Sequence, residues 1–245
     1  MLYVFGDSFV EDYRFPDWTW AKSISKSLNI DYRNFAQGAT SLDYTYGEFE
    51  RQHGNFVPGD ILIVGITNED RFNFFPDRRY LSTLWAFDNH MHRYLPEEKT
   101  AVEYYLKYLD NPADKSRHLI NFLHNVQDIT VRKSLRTVVI QTMGLMDYTN
   151  SLLYADRFDK LYIATGTLHD ISRSELANDL NYDISHDKNG VDMRHNHMCK
   201  SNHQILSNKI IKHLTDREPI DLTVGFNKKI ITLDIKKATN WYELI

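Results

Sequence analysis

Hydrophobic positions along the chain take two recurring forms, short continuous runs and longer stretches with a helical period. Leu2-Tyr3-Val4-Phe5 is such a run, and Trp18 to Leu28 follows with Trp20, Ile24 and Leu28 on one helical face. Ile30 to Phe35 reads as a second strand. Asp60-Ile61-Leu62-Ile63-Val64-Gly65, entered through the turn pair Pro58-Gly59, reads as a third and buried one. Lys115 to Lys133 carries Leu119, Ile120, Leu123, Val126 and Ile129 at helical spacing and leads into the run Thr137-Val138-Val139-Ile140. Lys200 to Leu214 is predicted as a late helix with Ile205, Leu206, Ile210, Ile211 and Leu214 inward.

These strands lack period-2 alternation, and helices separate them. Strands of that kind are covered on both faces, and a helix is the usual connection between parallel neighbours. The predicted class is therefore α/β, a three-layer sandwich around a mostly parallel sheet. The aromatic-rich stretch from Asn73 to Leu109 is longer than one crossover requires and is predicted as an insertion beside the active-site edge. Leu222-Thr223-Val224, Gly225-Phe226-Asn227 and Lys229 to Leu233 predict a hairpin, which makes 220–245 a C-terminal extension to a main domain over 1–219. No period of 20–50 residues repeats, so a solenoid is not expected.

Composition narrows the picture in three places. With 29 Lys+Arg against 33 Asp+Glu the net charge is −4, which provides no electrostatic footprint for nucleic acid. The mean hydropathy of −0.49, with no apolar run near the ~18–20 residues of a membrane span, predicts no transmembrane helix. The first residues lack a basic n-region, so no signal peptide is expected, and the single Cys199 admits no intramolecular disulfide. The expected location is cytoplasmic or virion-associated.

Four segments carry candidate chemistry. Phe5-Gly6-Asp7-Ser8 places a serine just past the end of the first strand, the end at which open α/β sheets bind ligands. Asn34-Phe35-Ala36-Gln37-Gly38 places a glycine N–H past the second strand, unobstructed by a Cβ. Asn68 follows the third strand, where its amide can donate to an oxyanion or cap what comes next. Asp192-Met193-Arg194-His195-Asn196-His197 enters the late helix and offers a base and a carboxylate to orient it. His186, Asp192, His195, His197 and His203 also form a candidate metal set, although no HExxH or CxxC spacing accompanies them.

In this order the segments resemble the SGNH/GDSL hydrolase family over roughly residues 1–215. Gly6-Asp7-Ser8 matches its first block, Gly38 after Asn34 its second, and Gly65-Ile66-Thr67-Asn68 is the counterpart of its Gly-x-Asn-Asp, one residue longer before the Asn. The Asp-x-x-His of the last block selects Asp192 and His195. Spacing to the following helix selects His197 instead, with Asn202 in the family's Gly place and Ser207 in its small-residue place. A helix start holds a side chain more rigidly than a loop, which favours His197 as base and keeps His195 as the alternative.

The resemblance implies a flavodoxin-like sandwich and a two-step acyl transfer to water. Ser8 would be the nucleophile, His197 or His195 the base, and Asp192 its orienting acid. Ser8 N–H, Gly38 N–H and the Asn68 amide would form the oxyanion hole, and neither metal nor organic cofactor would be needed. Among substrates the insertion favours a carbohydrate ester. Phe72, Phe74, Phe75, Tyr80, Trp85 and Phe87 supply stacking surfaces, and Arg71, Arg78 and Arg79 suit an acidic glycan. The alternative is a non-catalytic module of the same family that binds a glycan or a protein partner, such as a phage structural component, since the low-Gly, Tyr/Asn/Asp-rich composition also resembles phage-encoded members.

Overall fold

The computed structural model describes residues 1–12, 18–38, 40–67, 71, 92, 94–143, 157–169, 171, 198 and 200–226. Among the described residues five parallel strands form one sheet: β1 (Leu2–Phe5), β2 (Tyr32–Asn34), β3 (Ile61–Ile66), β4 (Arg136–Gln141) and β5 (Tyr162–Thr167). The helices are α1 (Trp20–Leu28), α2 (Leu42–Gln52), α3 (Pro96–Tyr108), α4 (Pro112–Lys133) and α5 (Lys200–Asp216). The protein is thus α/β, with helices on both faces of an all-parallel sheet, as the unalternating strands predict.

Each strand side chain points opposite to the next, and the two faces build two cores. Leu2 and Val4 of β1, Ile61 and Ile63 of β3, and Val138 and Ile140 of β4 pack under α1 and α5. Tyr3 and Phe5, Leu62 and Val64, and Val139 pack under α2 and α4. On α4 the inward stripe is Leu119, Phe122, Leu123, Val126 and Ile129. On α5 the expected stripe is corrected. Leu206, Ile210 and Leu214 turn inward, but Ile205 and Ile211 only flank the contact, and Asn202, His203 and Ser207 take the buried places against α1. His203 holds its buried place through the bond that its Nδ1 accepts from the Trp20 N–H at the start of α1.

The strand order is β2-β1-β3-β4-β5. Tyr3 of β1 sits opposite Arg33 on one side and Leu62 on the other. The chain leaves β1 in one direction through α1 and returns in the other through α2, so the order reverses between β1 and β3. This is the 2-1-3-4-5 pattern of doubly wound sheets, whose crevice for ligands opens at that switch point beyond the strands' C-terminal ends.

Three further differences from the predicted elements have physical causes. α2 is amphipathic only through Leu42, Thr45 and Phe49, with Gly47 in its interior, a pattern too sparse to read as periodic. β5 is half exposed, with Gly166 inside it, and so lacks the signature of a buried run. Within the predicted insertion, α3 opens with Pro96 at its first turn and Glu98 accepting the Leu95 backbone N–H at 2.7 Å, a helix start set by capping more than by hydrophobicity. Residues 220–222 lie along β5. Thr165 donates its N–H to the Ile220 carbonyl, Leu222 returns one to Thr165, and Ile220 and Leu222 are buried. The later part of the predicted hairpin lies outside the described residues.

Candidate active site

The site is built on the turn that follows β1. Gly6 has φ +149°, and a Cβ there would come within 2.8 Å of Val10 Cγ2. Gly65 in β3 is the other half of the same seat, since a Cβ on it would meet Val10 Cγ2 at 2.6 Å and Thr142 Cγ2 at 2.9 Å. The two glycines thus admit Val10 against the sheet and tie the turn over the β1–β3 crevice.

Asp7 holds the turn from inside. It is fully buried, and its Oδ1 accepts the Phe9 N–H at 3.1 Å. Its Oδ2 accepts the Thr142 hydroxyl at 2.8 Å from the end of β4 and faces Arg71 Nη1 at 3.6 Å. Its carbonyl receives the N–H groups of Val10 and Glu11, both at 3.0 Å. Burial draws the Arg71 pKa down, and the neighbouring Asp7 carboxylate opposes that shift. Ser8, partly exposed, is the next residue, and it projects from this braced turn at the switch point.

The segment after β2 is fastened to the same turn. Asn34 donates its amide to the Val10 carbonyl at 2.8 Å and accepts the Ala36 N–H at 2.8 Å, while Gln37 donates to the Gly6 carbonyl at 3.1 Å. Below it Tyr32 donates its hydroxyl to Asp12 at 2.6 Å. Burial and that carboxylate push the phenol's pKa up, which keeps it a donor. These bonds bring Gly38 beside Ser8, across 30 positions of sequence: a Cβ on Gly38 would lie 3.4 Å from Ser8 Cβ. The Gly38 N–H, however, donates to Glu11 Oε1 at 3.0 Å, so a carboxylate of the chain itself sits where an oxyanion would bind.

A third fastening reaches α5. Trp20, the first residue of α1, gives its indole N–H to the Phe9 carbonyl at 3.1 Å and its backbone N–H to His203 Nδ1 at 3.1 Å. The start of α5 is thereby linked to the Ser8 turn through one side chain, with Met198 and Asn202 buried beside it. With Nδ1 accepting, the neutral His203 ring carries its proton on Nε2.

Of the residues singled out in the sequence, Ser8 and Gly38 are brought together. Asn68, Asp192, His195 and His197 lie outside the described residues, as do His186, Phe72, Phe74, Phe75, Arg78, Arg79, Tyr80, Trp85 and Phe87. Glu11 and Thr142 enter the site without any signal in the sequence, and Arg71 enters it as the partner of Asp7, a role its sequence context does not suggest. Their contacts cross 27, 135 and 64 positions, and no local pattern announces such pairings. Among the described residues no group of three or more His, Cys, Asp or Glu converges as a metal site, and no helix is long and apolar enough to cross a membrane.

The fold and this site define an α/β protein with a partly exposed serine at the switch point of a 2-1-3-4-5 sheet. No family model and no curated protein matches the chain. Among solved structures it is similar to protein YxiM of Bacillus subtilis, with 13% sequence identity and a TM-score of 0.47 over 89% of this chain and 56% of that one. The chain thus spans little more than half the length of that protein.

Proposed function

We propose that the protein is a serine-dependent ester hydrolase of the SGNH/GDSL type that removes acetyl or short acyl groups, with a carbohydrate as the alcohol. The observation that carries this reading is the meeting of Ser8 and Gly38 at the switch point, a hydroxyl on the turn after β1 beside a backbone N–H on the segment after β2. Ser8 Oγ attacks the ester carbonyl while His197, or His195, takes its proton, with Asp192 orienting the ring. The carbonyl oxygen becomes an oxyanion held by the N–H groups of Ser8 and Gly38 and by the Asn68 amide. Collapse breaks the bond to the sugar oxygen, which takes the proton from the imidazolium and leaves as the alcohol, and an acyl-serine remains. Water, activated by the same histidine, hydrolyses it and restores Ser8. The link from the Ser8 turn through Trp20 to α5 supports the assignment of a base just ahead of that helix.

Within this mechanism Glu11 must leave the Gly38 N–H when substrate enters. That contact also favours a second reading, a binding module of the same fold in which the donor is permanently capped by Glu11. Hydrolysis of p-nitrophenyl acetate at pH 7–8 by wild type and Ser8→Ala, both treated with EDTA, decides between them. Turnover that disappears in Ser8→Ala and ignores EDTA is expected. Turnover no higher in wild type than in Ser8→Ala would leave the binding module.

A further inference from the structure

A second feature of the molecule opens on the sheet face covered by α2 and α4. It is a cleft of about 290 Å³ whose lining includes Leu42 of α2, Arg71, Tyr105 of α3, and Asn111, Lys115 and His118 at the entry to α4. That volume is at the small end of ligand sites and suits a single sugar ring. Tyr105 and Leu42 offer it apolar walls.

The lining carries charges of both signs, with Asp43 and Asp114 beside Arg71 and Lys115. Asp43 is held by His118 Nε2 at 2.8 Å, Asp110 by Lys115 Nζ at 2.7 Å, and Asp114 by Arg117. Among the described residues Arg71, only 7% exposed, has a single ion pair, with Asp7 at 3.6 Å, and that carboxylate already accepts from Thr142 and Phe9. Arg71 Nη1 makes no hydrogen bond to any described residue. A guanidinium carries five N–H donors in a planar fork that matches a carboxylate, and burying them without acceptors is costly. A buried cation whose Nη1 lacks a hydrogen-bond partner among the described residues thus stands in the wall of the cleft.

We infer that this cleft is an anion subsite in which Arg71 receives the carboxylate of an acidic sugar unit. The adjacency to Ser8 rests on the esterase reading and would make that unit a neighbour of the scissile ester. The binding itself does not depend on that reading. Arg71 pairs with Asp7, the residue before the proposed nucleophile, and this contact links the cleft to the Ser8 turn.

Calorimetric titration of the full chain with galacturonate, galactose and inorganic phosphate tests the inference. Galacturonate is expected to bind at least about tenfold more tightly than galactose, since only the acid supplies a carboxylate to the Arg71 guanidinium. Asn111→Asp adds a negative charge at the rim while keeping a good residue ahead of α4, and should raise the galacturonate Kd about 3- to 10-fold. Arg71→Gln should abolish binding. Because it also strips Asp7 of its cation, its fold is checked by circular dichroism, and if it fails to fold Asn111→Asp decides the matter. Equal binding of galacturonate and galactose, or a galacturonate Kd unchanged in Asn111→Asp, would overturn the subsite. Phosphate binding more tightly than galacturonate would overturn the carboxylate assignment. Since p-nitrophenyl acetate has no carboxylate, its turnover reports on Ser8 alone, and failure of either proposal is visible without the other.

Discussion

At the scale of single residues, the site depends on what is small and on what is charged. Gly65 is present in β3 because Val10 and Thr142 occupy the space a Cβ would need. Gly65→Ala should cost about 1–3 kcal/mol in urea denaturation, the usual penalty of overpacking, and should lower p-nitrophenyl acetate turnover with it by displacing the Ser8 turn. Glu11 makes the opposite prediction. If its carboxylate only caps the Gly38 N–H, Glu11→Ala frees a donor and kcat/KM on the same ester rises. A fall would instead make Glu11 part of the machinery. Asn68→Ala should lower kcat by about 100- to 1,000-fold if its amide serves the oxyanion, and an undiminished rate would remove it from the site. Ser8 and Gly38 were legible in the sequence because each follows a strand end. Glu11 was not, because nothing in a lone acidic residue indicates which amide it will meet.

At the scale of elements, α1, α4 and α5 are readable from a 3.6-residue period, while α2 and β5 are not, because their burial comes from a few side chains and from the sheet they join. The same elements carry a pH-dependent clasp. His118 of α4 bonds Asp43 of α2 at 2.8 Å, and this hydrogen bond, ahead of the opposing effect of burial, raises the His118 pKa above its ordinary value of 6.5. A histidine pKa raised on folding means that the native state binds the proton more tightly. The stabilisation is therefore full below pH 6.5 and fades as pH climbs through the raised value. Wild type should melt higher than His118→Gln at about pH 5.5, and the gap should shrink by about pH 8.5 in thermal melts at constant ionic strength. A gap independent of pH would show that the ring acts only by packing.

At the scale of the whole molecule, one buried cluster joins parts of the chain that no single element connects. Asp7 from β1's turn, Arg71 beyond β3 and Thr142 at the end of β4 meet across the C-terminal edge of the sheet. Asp7→Ala leaves a guanidinium buried without its counter-charge and should cost about 3–5 kcal/mol, measured by urea unfolding. A loss under about 1 kcal/mol would mean that Arg71 finds water or another acceptor.

What the sequence determined by itself is the class and the address. The continuous apolar runs of β1 and β3 must be covered on both faces, which requires helices between parallel neighbours, and a Gly-Asp-Ser after the first of them puts a hydroxyl at the ligand-binding end. Only the tertiary structure decided the strand order, the reversal beside β1, the capping of the Gly38 N–H by Glu11, and the seating of Arg71 against Asp7. The physical reason is that periodicity reports how a segment buries its own side chains, whereas pairing between segments is settled by the packing of the whole, where glycine gaps, buried charges and backbone hydrogen bonds must all be satisfied together.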